Sequence, residues 1–335
     1  MGAASTPSRR WWPVWLLAAL CAIAITAAME RHWRGLGYRP DIRDSAQLWS
    51  IERDRVYATA KTPLVLLGAS RIETGIDMAL LAQLLPRYQP VMLAQNAHYP
   101  LAVLHDLADD ANFHGVVLCD VDTAGLYRMF AGMQQPLVDY YHRQWSPSWH
   151  LHRILLTLWQ EHAVVANPDL GPVATLRRAL EGKEPPRPDY FRFHADRSAD
   201  IDYRRVDVAA ARRHFAEALA TGDGLQAAVM PERWLADLAD VHEWTARINA
   251  RGGEVIFYQS PVSGDLRTAE GIRHPADQYW NRFAADATAA TLDGNTEPRL
   301  AAFVEPDDSH LDFRDKPAYT RALVDVLVER GWLER

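Results

Sequence analysis

Two short stretches hold residue types that can do covalent chemistry together. The apolar run "LVLLGA" (64–69) stops at glycine and delivers Gly68-Ala69-Ser70-Arg71. Near the other end, "FVEPDDSHLDFRD" sets Asp307, Asp308 and His310 just before a helical stretch. A serine hydroxyl becomes a strong nucleophile when a base takes its proton. An imidazole is such a base, and a carboxylate holds it in the right tautomer. Ser70, His310 and Asp307 supply one of each. The Asp-x-x-His spacing suits a tight turn, because it returns the carboxylate to the ring of its own loop. Each piece alone has a plainer reading. A serine after a strand is commonly a cap or turn residue, and Asp307 or Asp308 would serve as a helix N-cap. The pairing at the first and last strand ends of one α/β unit carries far more weight.

That placement depends on the elements between. Strands are expected at 64–69, 91–95 and 115–121, with helical spacing at 76–86 and 101–111. Short apolar runs alternating with helices imply a parallel sheet with right-handed crossovers. The pattern resumes with a helix over 233–253 closed by Gly252-Gly253, a strand at 254–260, a helix at 275–290, a fifth strand at 299–304 and a last helix at 316–333. The intervening 126–230 reads as a mostly helical insertion or lid, with helices at 146–162 and 206–220 and a proline- and charge-rich loop at 181–200. The α/β domain is therefore expected over 61–125 and 231–335. Ligands of such sheets bind beyond the carboxyl ends of the strands, where strand order reverses.

The N-terminus has a different character. No residue from Trp11 to Met29 is charged. Nineteen helical residues at about 1.5 Å each span about 28 Å, close to the hydrocarbon thickness of a bilayer. Trp11, Trp12, Trp15 and Trp33 flank the segment as interface residues do. A buried soluble helix fits poorly, because the run is apolar on every face. A cleaved signal peptide is a stronger rival, but the run is long for one. The expectation is a cytoplasmic tail over 1–10, an anchor over 11–29 and an Arg-rich stalk over 30–60. Arg31, Arg34, Arg39 and Arg43 after the span favour a cytoplasmic body by simple count, a rule that weakens when a large domain follows.

The chain has 335 residues, 48% of them hydrophobic, enough for one large or two modest domains with a full core. Its net charge is −7 and it carries no basic stripe interleaved with aromatics, which argues against nucleic acid. Cys21, in the apolar run, and Cys119, in a buried strand, make an implausible disulfide pair and do not report the redox compartment. Leu20 makes Cys21 a poor lipoprotein site.

The two chemical stretches resemble those of the SGNH/GDSL hydrolase-like superfamily, whose serine follows the first strand and whose Asp-x-x-His precedes the final helix. More narrowly, the Gly-x-Ser-Arg block behind an N-terminal span resembles membrane-anchored bacterial SGNH-like proteins. "LAQNAHYPLAVLHDLADD" and "YQSPVSGDLRTAEGIRHPADQYW" resemble further segments of that group. The resemblance covers most of 60–125 and 254–330. It implies a flavodoxin-like three-layer α/β/α fold and an esterase or O-acyltransferase working through an acyl-serine at Ser70, with Asp307 and His310. It also implies a periplasmic body at the inner membrane, an ester or carbohydrate substrate in the cell envelope, and a membrane acyl-donor protein as partner. No cofactor is implied.

Two departures from the family pattern stand out. The second block, where a glycine N–H serves as oxyanion donor, reads Asn96-Ala97-His98 here. Ala97 keeps an N–H, and the Asn96 amide is a further donor. The third block, usually Gly-x-Asn, reads Asp120-Val121-Asp122, and an ionised carboxylate cannot donate. Arg71 has two readings, a binder of an anionic substrate group or an ion-pair partner of Asp120 or Asp122. Ser263, Arg267 and Arg273 either line the same cleft or form a solvated turn. His142, His150 and His152 lack the spacing and companions of a metal site. Trp145, Trp149 and Trp159 read as core residues or as a carbohydrate platform. The rival to an enzyme is a non-catalytic accessory or carbohydrate-binding protein that keeps the fold. A Ser70–His310 distance within hydrogen-bond reach would favour the enzyme.

Overall fold

The computed structural model describes residues 11–186, 188–221 and 228–335; the expected tail over 1–10 lies outside them. The chain forms two compact units, Met1–Arg43 with Leu155–Asp189, and Asp44–Ile154 with Tyr190–Arg335.

The larger unit is an α/β domain. Strands β1 (Thr62–Leu67), β2 (Tyr88–Met92), β3 (Val116–Asp120), β6 (Glu254–Gln259) and β7 (Ala290–Asp293) form one sheet in the order β2-β1-β3-β6-β7. Every pairing is parallel. Alternate residues of each strand face opposite layers, so both faces must be covered. Val65, Leu67, Val117, Cys119 and Phe257 pack on one side with Trp49, Leu104 and Trp234. Leu64, Leu66, Leu118 and Ile256 pack on the other with Leu81, Tyr319 and Leu323. The chain leaves β1 for β2 on one side and returns to β3 on the other. The crevice where strand order reverses therefore lies between the ends of β1 and β3.

Several boundaries differ from expectation. The stretch 30–60 is not a stalk. Ala46–Arg55 is a helix capped by the Ser45 hydroxyl, which accepts from the Leu48 N–H at 3.2 Å. Its Trp49 is fully buried and donates to the Leu93 carbonyl at 3.1 Å. Its Arg53 is buried against Asp106 at 3.0 Å and Asp110 at 2.7 Å. The fifth strand is β7, at 290–293. The run expected there, "RLAAFV", instead begins with the short helix Pro298–Ala301. Periodicity alone cannot separate a short apolar strand from a helical turn, and Pro298 is well suited to a first helical position. The helix expected over 233–253 is two, Pro231–Asp237 and Ala239–Asn249.

The insertion 126–230 is not one body. Residues 155–189 belong with the N-terminal helix, and the remainder joins the α/β domain. The loop expected at 181–200 contains β4 (Phe191–Phe193), paired antiparallel with β5 (Ala199–Ile201). Arg197, between them, is fully buried and fixes this hairpin to the domain. It donates to both Asp44 carboxylate oxygens at 2.8 and 2.7 Å and to the Met92 carbonyl at 3.0 Å.

In the smaller unit, the helix Trp12–Gly35 is long and apolar enough to cross a membrane. Its final turns carry Trp33, which buries against Val164 and Leu170 and donates to the Leu170 carbonyl at 2.9 Å.

Trp49→Ala should cost about 3–5 kcal/mol, the range for a fully buried aromatic. Urea unfolding of the two proteins measures it. A loss below about 1 kcal/mol would mean that the helix is not part of the α/β core.

Candidate active site

Ser70 opens the short helix Ser70–Gly75, directly beyond β1. Gly68 makes the turn possible. Its φ is +149°, and a Cβ there would lie 2.7 Å from Ile72 Cγ2 and 2.8 Å from the Asp120 carbonyl oxygen. Only glycine lets the chain pass that close to β3 and turn at once into a helix.

The Ser70 Oγ lies 2.8 Å from His310 Nε2. On the other side of the ring, His310 Nδ1 lies 2.9 Å from Asp307 Oδ2. The second Asp307 oxygen accepts the backbone N–H groups of Ser309 at 3.0 Å and His310 at 2.7 Å. One carboxylate thus fixes both the ring and the turn that carries it. Burial alone would raise the Asp307 carboxyl, but the donors around it and the imidazole hold it well below the ordinary carboxylate range. The Tyr203 hydroxyl is buried beside it, and burial together with the Asp307 charge pushes that phenol far above its ordinary range. All three members of the line stay partly exposed.

The loop carrying Asp307 and His310 is held from the side. Asp308 takes a left-handed conformation, φ +70°. Its backbone carbonyl accepts the Ser263 N–H at 3.0 Å, and its carboxylate accepts the Asp265 N–H at 3.0 Å. Ser263 donates to the Glu305 carboxylate and accepts the Glu305 N–H at 3.1 Å. Arg267 donates to the Asn295 carbonyl at 2.8 Å. Ser263 and Arg267 therefore brace neighbouring loops, a role outside the two expected for them, and 264–273 is a helix rather than a solvated turn.

The turn 95–98 sits against the same strand end. The Gln95 N–H donates to the Gly68 carbonyl at 3.1 Å. The Gln134 amide nitrogen bridges the Gly68 and His98 carbonyls, at 3.0 Å each. Asn96 and Ala97 are exposed. Ala97 adopts φ +60°, the left-handed region that favours glycine.

Arg71 is engaged with protein partners. It lies 3.0 Å from Glu270 and 3.4 Å from Asp122, and its Nε donates to Ser309 Oγ at 3.3 Å. Asp122 also accepts the Gly125 N–H at 2.7 Å. Of the two readings of Arg71, the ion pair is the one seen. Asp120 is buried and accepts from the Ser260 N–H at 2.9 Å and the Ser260 hydroxyl at 2.8 Å.

Sequence reasoning missed Glu270, Tyr203, Gln134 and Glu73. Glu73 lies three residues after Ser70 in the same short helix, and nothing in its spacing marks it. Glu270, Tyr203 and Gln134 reach the site by long-range packing. Glu73 is fully buried behind Ser70, and burial pushes its carboxyl well above the ordinary range against the pull of Arg197. The three tryptophans read as core residues or as a carbohydrate platform do not act as one core group. The Trp145 indole donates to Asp54 at 2.8 Å, whereas Trp149 and Trp159 are exposed.

Set against known proteins, the chain matches no family model, no curated protein and no solved structure.

Burial pushes the Asp120 carboxyl from 3.8 up to about 6, outweighing Arg71 and the Ser260 donors. A raised value in the fold means that protonation favours the folded state. The stabilisation is complete below pH 3.8 and is lost as pH rises through about 6. The shift corresponds to on the order of 3 kcal/mol. Between pH 4 and 7 the wild type should lose that much stability relative to Asp120→Asn, measured by urea unfolding across the pH series. A stability difference that stays flat with pH would refute the assignment.

Proposed function

We propose that this chain is a membrane-anchored serine ester hydrolase or O-acyltransferase of SGNH type, working through an acyl-serine at Ser70. One observation carries the reading: the hydrogen-bonded line from Ser70 through His310 to Asp307, at a partly open edge of a parallel sheet. A non-catalytic relative would have no need to keep nucleophile, base and orienting carboxylate in one line.

The steps follow from the geometry. His310 Nε2 takes the Ser70 proton as Oγ attacks the ester carbonyl carbon. Asp307 holds the Nδ1 proton and stabilises the imidazolium that forms. The tetrahedral oxyanion collapses, and the leaving alkoxide takes the proton from His310. Water or a sugar hydroxyl then gives its proton to His310 and attacks the acyl-serine. The second collapse frees Ser70, whose Oγ takes the proton back from His310 Nε2.

The oxyanion needs donors. The Ser70 N–H, at the start of its helix, is one. The Ala97 N–H makes no hydrogen bond among the described residues and is a second. The left-handed backbone of Ala97, where the family carries glycine, supports treating 96–98 as the second block. Asp122 accepts from Gly125 and pairs with Arg71, so the third-block donor is absent. The Asn96 side-chain amide takes its place in this reading. The span over 11–29 anchors the enzyme, its body faces the periplasm, and the acyl acceptor is an envelope glycan.

The detergent-solubilised full chain, treated with a fluorophosphonate probe, should label at Ser70. Ser70→Ala and His310→Ala should abolish labelling, and Asn96→Ala should slow it about 100–1000-fold, the usual loss for one oxyanion donor. A well-folded wild type that does not label would favour an accessory or carbohydrate-binding protein.

A further inference from the structure

The helix Pro147–His162 has inverted polarity. Its buried residues are Arg153, Thr157 and Gln160, at helical spacing. Its exposed residues include Leu151, Leu155, Leu158 and Trp159, which form a stripe at i, i+4, i+7 and i+8. Leu155 is 59% exposed and Leu158 52%. The helix Pro172–Leu180 repeats the feature. Val173, Leu176 and Leu180, at i, i+3 and i+7, are 74%, 61% and 80% exposed. Isolated exposed leucines are ordinary, but two successive helices with continuous apolar stripes turned outward call for a covering surface.

The smaller unit indicates what covers them. The link between these helices, 163–171, is tied to the last turns of the apolar helix Trp12–Gly35. The Glu30 carboxylate accepts the Val164 and Val165 N–H groups, at 3.0 Å each. The Trp33 indole donates to the Leu170 carbonyl at 2.9 Å. Glu30 directly follows the uncharged run that ends at Met29. The link is therefore held at the level where that run leaves the hydrocarbon, and the two stripes start from there. Arg31, Arg39 and Arg177 of this unit are exposed and pair with no carboxylate among the described residues. Such cations suit anionic headgroups, and tryptophan suits the interfacial layer.

We infer that the helices 147–162 and 172–180 lie in the bilayer interface, as a second, in-plane attachment beside the span. Their apolar stripes enter the headgroup–acyl boundary, and anionic lipid headgroups meet the free arginines. The inference rests on the anchor reading of 11–29.

The test uses the full chain reconstituted in vesicles of phosphatidylcholine and phosphatidylglycerol in equal parts. Single-site spin labels are placed at Leu158→Cys and Leu176→Cys, each with Cys21→Ala. Native Cys21 reports the span, and Arg321→Cys with Cys21→Ala reports the aqueous surface. Cys119 is buried and stays unlabelled. Relaxation by lipid-soluble oxygen is compared with relaxation by a water-soluble nickel chelate. Positions 158 and 176 should lose nickel access and gain oxygen access, as Cys21 does. If they behave like position 321 while Cys21 is in lipid, the in-plane attachment is wrong and the anchor stands. If Cys21 is itself aqueous, the anchor reading fails and this inference with it. If 158 and 176 are shielded from both reagents, protein covers the stripes and the lipid assignment is overturned.

Discussion

The close passage of Gly68 against Asp120 is the constraint on which the site depends. β1 and β3 are neighbours in the sheet, and the chain must leave β1 while still touching β3. A side chain at 68 would push those strands apart or turn the following residues elsewhere. With glycine there, Ser70 starts a helix within three residues of the strand and projects from the sheet edge. The Gly68 carbonyl is then free to hold two further pieces, the Gln95 backbone and the Gln134 side chain. The turn at 95–98 and the segment before helix 135–143 are thus aligned on one peptide group.

Much of this was legible in the sequence because it is local. "LVLLGAS" contains its strand, its turn and its serine in one run, and Asp307 and His310 meet within a single turn. The strands at 64–69, 91–95, 115–121 and 254–260 stood out because they are apolar on both faces, as a sheet covered on both sides requires. What could not be read was set by distant partners. β7 is only four residues long, and its assignment comes from pairing with β6. Helix 46–55 has a mostly polar sequence, and its Leu48, Trp49 and Arg53 are buried by partners distant in the chain. The insertion looked like one block because sequence carries no signal for which half packs against which neighbour. Arg197 is an unremarkable arginine in a charged loop until Asp44 and the Met92 carbonyl come into reach.

The electrostatics of the site follow from unequal numbers. Arg71 faces Glu270 and Asp122 directly, with Asp120 nearby. Burial raises the Glu270 and Asp120 carboxyls, while Arg71 opposes the rise in both. Removing one partner of such a group leaves a buried charge uncompensated, which costs more than the pair itself contributes. The guanidinium thus ties together the loops after β1 and β3.

The separation of Ser70 from His310 also sets an order of events. The two residues lie 240 positions apart. Chains emerge from the ribosome N-terminus first, at ~5–20 residues per second, so the serine precedes the histidine by roughly ten to fifty seconds. β1, β2 and β3 can pair during that interval, since all three precede residue 121. The turn carrying His310 arrives only with the last helix. Under the proposed chemistry, a chain interrupted anywhere before residue 310 holds a nucleophile with no base and is chemically silent. Under that chemistry, reactivity is tied to synthesis passing residue 310.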